Sequence, residues 1–182
     1  MRSVPENVRT PIRQADGVEY PMVRGGGLFL MLIGTGLVSA IVFSGDALVN
    51  YPVFYVGVAV ATISLFASGR LSQGSPTRLQ IAALVSAIAL EIILLVVMGR
   101  TLPRGTAEHV RWLWVSMIVG VHFLPMALCF GSRMLLLGGA CIVNALVGLV
   151  LLRAPYEVFG LVDGCLKLGF GVWLFSPRQR AA

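Results

Sequence analysis

Charge is what this sequence has least of. Asp, Glu, Lys and Arg together make up 12% of its 182 residues, against 57% apolar residues and a mean hydropathy of +0.88. A soluble domain carries about 25% charged residues, so there is too little polar surface here to cover a globule that faces water. Cysteine is scarce as well. Cys129, Cys141 and Cys165 all fall inside apolar runs and form no C-x-x-C pair, which argues against a disulfide framework and a zinc site. Two histidines, His109 and His122, are too few for a metal centre. The G-x-S-x-G elbow, the H-E-x-x-H helix and the P-loop are absent; 69–77 contains Gly and Ser but not the Gly-Lys-Ser/Thr end that a phosphate cradle needs. No enzyme class, cofactor or metal is therefore expected.

Long uncharged runs are what is present. Read from charge to charge they cover 25–45, 47–69, 79–99, 112–132, 134–152 and 158–177, with lengths of 21, 23, 21, 21, 19 and 20 residues. A helix crosses the hydrocarbon with roughly 20 apolar residues, so six spanning helices follow. Only the third and sixth runs contain charge: Glu91 in the third, Asp163 and Lys167 in the sixth. A transmembrane barrel would show alternating segments of about ten residues; Leu28 to Ile33 and Ile92 to Met98 do not alternate. The expected fold is all-α, a compact polytopic bundle of six transmembrane helices over 25–177, with a polar arm at 1–24 and a short tail at 178–182.

The arm has no apolar h-region of about 7 to 15 residues, and Pro5, Pro11 and Pro21 break it; the chain is expected to keep it. Positive charge then sets the orientation. With the N-terminus inside, nine arginines (Arg2, Arg9, Arg13, Arg24, Arg70, Arg78, Arg133, Arg178 and Arg180) face the cytoplasm, and four (Arg100, Arg104, Arg111 and Arg153) face the other side. Both termini are expected to be cytoplasmic, in a bacterial inner membrane. Tyr51, Trp112, Trp114 and Tyr156 mark one interface, Tyr20 and Trp173 the other. The net charge of +6 is spread over loops and arm without a dense basic run, which suits anionic lipid headgroups and argues against nucleic acid.

The connections at 46–51, 70–78, 100–111, 131–133 and 153–157 are too short for a second domain and make neighbouring helices antiparallel. Pro52 and Pro155 occupy the start of the second and sixth helices, where a first turn tolerates proline. The two halves show no residue-level repeat.

Glu91, His122, Asn144, Asp163 and Lys167 are the side chains a bilayer makes expensive. A charge at the centre of a span costs about 2.5 to 3.5 kcal/mol on insertion scales, so such groups face the interior, find partners and mark function. At 1.5 Å rise per residue, Glu91 is about 12 Å from Gly99, Asp163 about 10 Å and Lys167 about 16 Å from Tyr156, His122 about 16 Å from Arg111, and Asn144 about 12 Å from Leu152. All five share one slab near mid-membrane. In the sixth helix Gly160, Asp163, Gly164, Lys167 and Gly171 form one stripe, small and polar, which fits an inward face that another backbone approaches closely.

Two readings fit the pair. In one, Asp163 and Lys167 neutralise each other so that the helix inserts, and Glu91 is protonated and silent. In the other, the acids, His122 and Lys167 surround a polar cavity that relays protons or binds an ion or small polar solute. An interface with another subunit, including a homo-oligomer, is a third. His122, three residues before Pro125, either bonds a carbonyl freed by the proline or carries a proton. Asn144 reads first as a clasp between helices, worth about 0.6 to 2 kcal/mol. Glu91 has only Ala87, Ile88, Leu94 and Leu95 three and four residues away, so its partner must be Lys167 or His122 from another helix. Asp163-Gly164 matches one fragment of the lipid-headgroup transferase signature, which needs several aspartates on one helix to hold a dication; one Asp beside a Lys does not supply them.

Four short motifs carry a resemblance: Arg24-Gly25-Gly26-Gly27, Asn50-Tyr51-Pro52, His122-Phe123-Leu124-Pro125, and Asp163-Gly164 with Lys167. On these the chain resembles small six-helix bacterial membrane proteins of unknown function, a likeness that implies a fold and no activity. The expected function is a small transporter or channel-like protein for a proton, ion or small polar solute that uses a buried layer of Glu91, His122, Asn144, Asp163 and Lys167. The alternative is a noncatalytic membrane scaffold, sensor or subunit whose ion pair is structural.

Overall fold

A computed structural model describes residues 20–45, 47–67, 75–151 and 155–176, except for the side chain of Phe66. The arm to residue 19, Arg70, Arg153 and the tail lie outside the described residues. Within them are six helices and no strand: α1 Val23–Val42, α2 Tyr51–Ala67, α3 Arg78–Thr101, α4 Glu108–Phe130, α5 Arg133–Val150 and α6 Tyr156–Phe175. Five are long and apolar enough to cross a membrane. The described part of α2, 17 residues, rises about 26 Å and ends at Ala67, where the described residues stop. Its start falls inside the expected 47–69 because a cap pins it: Asn50 Oδ1 accepts from Val53 N (3.2 Å) and Asn50 Nδ2 donates to Phe43 O (2.9 Å).

Local chemistry sets the other ends. At α3, Thr77 and Gln80 form a reciprocal capping box, with Gln80 N donating to Thr77 Oγ1 (3.2 Å) and Thr77 N to Gln80 Oε1 (2.9 Å). The turn between α4 and α5 is two residues long and depends on Gly131 at φ +93°, a backbone that L side chains rarely adopt. α4 continues through Pro125.

Glycine decides which helices touch. α1 and α6 pack antiparallel along paired glycines: a Cβ on Gly27 would lie 2.8 Å from Gly171 O, and one on Gly34 2.7 Å from Gly164 O. On another face of α1, Gly36 meets Gly57 of α2, where an added Cβ would lie 2.8 Å from Gly57 Cα. α4 and α5 repeat the device with Gly120 and Gly138; a Cβ on Gly138 would stand 2.7 Å from Gly120 O. These close approaches substitute for a hydrophobic driving force that lipid does not supply. α1, α4, α5 and α6 form the centre, α2 packs on α1, and α3 packs on α4. Two apolar cores result: one around Leu30, Phe123, Phe130, Leu137 and Leu174, the other around Leu37, Ile41, Leu113, Tyr156 and Phe159. Asp163 and Lys167 fall between them along α6.

Candidate functional site

The five expected residues separate into three contacts. Glu91 of α3 meets His122 of α4, with Oε2 2.5 Å from Nδ1 and side chains 27% and 9% exposed. Glu91 is there because the buried seam of α3, Gln80, Ala83 and Ala87, continues to it at helical spacing. The other nitrogen of His122, Nε2, lies 3.2 Å from Met126 Sδ, four residues on along the same helix. Neither ring nitrogen goes to a carbonyl freed by Pro125.

The second contact is the i, i+4 ion pair on α6, Lys167 Nζ donating to Asp163 Oδ2. Asp163 is 2% exposed and Lys167 4%. The remaining oxygen, Asp163 Oδ1, is buried and makes no hydrogen bond. Cys141 of α5 lies close enough for its thiol to interact with this carboxylate, and Lys167 Nζ is 6.0 Å from the centre of the Phe123 ring. The glycine stripe beside the pair leaves no open space, because α1 fills it: a Cβ on Gly164 would be 2.6 Å from Val38 Cγ2. The third contact is a clasp, Asn144 Nδ2 donating to Phe159 O of α6 at 2.9 Å.

A thioether sulfur only accepts, so the Met126 contact suits a proton on Nε2, and Nδ1 is the nitrogen turned to the Glu91 carboxyl group.

Three contributors were not singled out among the sequence candidates: Met126, Ser116 and the inward role of Tyr156. Tyr156 ends in a buried hydroxyl without a hydrogen bond. Its ring lies along its own helix over Gly160, where a Cβ would be 3.1 Å from Cε1 and Cζ. Gly160, four residues after Tyr156, was the available signal. Ser116 of α4 is buried as well. Trp112 packs against Tyr156 (6.2 Å between ring centres), Tyr51 (5.8 Å) and Phe54 (5.2 Å), and Tyr51 Oη donates to Glu108 Oε1. The aromatic marks expected at this interface, Trp114 apart, thus converge into one cluster. At the opposite end Arg133 stacks on Trp173, 4.2 Å from the ring centre. Among the described residues no group of three or more His, Cys, Asp or Glu could hold a metal ion.

This architecture defines a polytopic all-α membrane protein with ionisable groups carried inside its helix bundle. The chain belongs to a family of unknown function, DUF6609, whose sequence model matches residues 13–182. Neither the curated proteins nor the solved structures contain a match to it.

Proposed function

We propose that this protein is a small membrane transporter or channel-like protein, not an enzyme, and that the species it moves is a proton. The observation that carries this reading is the Glu91–His122 dyad: an acid and a base on different helices, 2.5 Å apart, a distance over which a proton can pass between them. Ionisable groups inside a span are costly and mark proton and ion routes, and histidine changes charge near physiological pH. The setting proposed with this reading is a bacterial inner membrane with both termini cytoplasmic. Arg24, Arg78 and Arg133 at the starts of α1, α3 and α5 support one cytoplasmic face, with Arg100, Arg104 and Arg111 at the other.

The test is proton flux driven by a pH gradient in vesicles reconstituted with the wild-type chain and with Glu91→Gln. The isostere keeps a hydrogen-bonding group toward His122 but removes the shared acid, so folding should persist and flux should fall to the level of empty vesicles. Undiminished flux in Glu91→Gln would refute the mechanism. A second reading, a noncatalytic scaffold, has its own support: the Asp163–Lys167 pair closes within one helix and Asn144 clasps α5 to α6. Wild-type vesicles no more permeable than empty ones would select it.

A further inference from the structure

The proton reading leaves Met126 without a role. Its sulfur lies 3.2 Å from His122 Nε2, and both residues are 7% exposed. They stand four residues apart on the buried side of α4, the spacing at which side chains on one helix meet. Their surroundings are apolar: the Phe123 ring stands perpendicular to the imidazole with ring centres 5.4 Å apart, and Met126 belongs to the core of Leu30, Phe130 and Leu137. The other nitrogen of His122, Nδ1, is 2.5 Å from Glu91 Oε2. A histidine that ligates a metal through one nitrogen turns the other, protonated, to a carboxylate or carbonyl that fixes its tautomer and orientation. His122 is placed in that way. With the proton on Nδ1, toward Glu91, Nε2 presents its lone pair to the thioether, and two acceptors side by side in an apolar core are held together by a cation between them.

We propose that His122 Nε2 and Met126 Sδ are the protein ligands of a site for one soft monovalent metal ion, copper(I) by class, with Glu91 behind the histidine. Softness follows from the donors. Imidazole and thioether suit copper(I), whereas calcium and magnesium need oxygens, and zinc takes four ligands where this pair supplies two. Charge follows from Glu91. Its carboxylate carries one negative charge and the imidazole none, so a monovalent ion leaves the group neutral, while a divalent ion would leave a buried charge uncompensated. Lys167 does not enter this balance, because it pairs with Asp163. Met126 is unbranched with three rotatable bonds, so its sulfur adjusts to the ion. The site shares His122 with the proton reading and goes beyond it. Binding is read at equilibrium, so a chain without proton flux leaves the site standing, and a chain that binds no metal leaves the flux result standing.

Silver(I), a soft monovalent ion that needs no reductant, is the probe, added to the purified full-length chain in detergent with its methionines carbon-13 labelled at the ε-methyl group. Thiols also take silver, so the first readout is the methyl spectrum, which reports each sulfur separately. The Met126 resonance, identified by its loss in Met126→Leu, should shift as silver is added, and that of Met117 on the same helix should stay in place. A Met126 resonance that does not move under excess silver overturns the site. The second readout is silver affinity in a chain carrying Cys129→Ala, Cys141→Ala and Cys165→Ala. There Met126→Leu should weaken binding at least tenfold, and unchanged affinity in it overturns the site. Glu91→Gln removes the balancing charge and should weaken binding about 10- to 100-fold, the usual cost of losing the partner behind a ligating histidine; unchanged affinity overturns the charge balance that selects a monovalent ion. If the three alanines disturb folding, the methyl spectrum of the wild-type chain decides alone.

Discussion

Removing one member of the α6 ion pair should harm the protein more than removing both. In Lys167→Met, Asp163 keeps its burial but loses its only hydrogen-bonded cation, and its second oxygen already lacks a partner. In Asp163→Leu, Lys167 keeps only the Phe123 ring at 6.0 Å, the outer limit of a useful cation–π contact. It has no route to water either, being eleven residues from Tyr156 and eight from Phe175, about 16 and 12 Å along the axis, farther than a lysine side chain reaches. Breaking a buried pair by removing one partner costs about 3 to 5 kcal/mol, whereas replacing both by apolar residues of similar volume is neutral or stabilising by about 1 to 4 kcal/mol. At about 2 to 4 °C per kcal/mol for a chain of this size, each single variant should melt about 6 to 20 °C below the wild type. Lys167→Met combined with Asp163→Leu should melt at or above it. Trp112, Trp114 and Trp173 supply the signal for a thermal melt in detergent followed by intrinsic fluorescence. Single and double variants that melt within a degree of one another would show that the two side chains do not depend on each other.

Gly171→Ala places a Cβ 2.7 Å from Met31 N and 2.8 Å from Gly27 O, backbone that cannot step aside, so it should destabilise by about 1 to 3 kcal/mol. Gly169→Ala, two residues away with nothing within 4 Å of the added carbon, should instead gain about 0.5 to 1 kcal/mol from helix propensity; equal melting temperatures would deny the glycine seam between α1 and α6. Asn144→Leu should cost about 1 to 2 kcal/mol, since Phe159 O loses its donor, and an unchanged melt would remove the clasp. Cysteines introduced at positions 75 and 180 should react with an impermeant thiol reagent from the cytoplasmic side alone and one at position 48 from the opposite side; the reverse pattern would invert the orientation and keep the spans.

Span positions were legible in the sequence because a charge within hydrocarbon is expensive, so the distance between charges measures the membrane. Val23–Val42, Arg78–Thr101, Glu108–Phe130, Arg133–Val150 and Tyr156–Phe175 lie within a few residues of the runs counted from charge to charge. α2 starts four residues later than its run, for its start answers to the Asn50 cap and not to charge. How far each of the five polar residues lies from the end of its helix was legible for a related reason: helical rise converts residue number into distance along the axis.

Which helices stand side by side was not legible. Apolar side chains meet lipid as readily as they meet a neighbouring helix, so a run of Leu, Val and Ile names no partner, and glycines announce a close approach without saying to what. The stripe of Gly160, Gly164 and Gly171 pointed inward, but only the tertiary structure fills it with α1. Glu91 shows the same division. Its own helix offers it nothing, and depth narrowed its partner to His122 or Lys167. The choice fell to packing, which sets α3 on α4 and leaves Lys167 to Asp163. Tyr156, placed by sequence at an interface, turns inward because Gly160 vacates the space its ring occupies, a consequence of side-chain packing that neither hydropathy nor spacing carries.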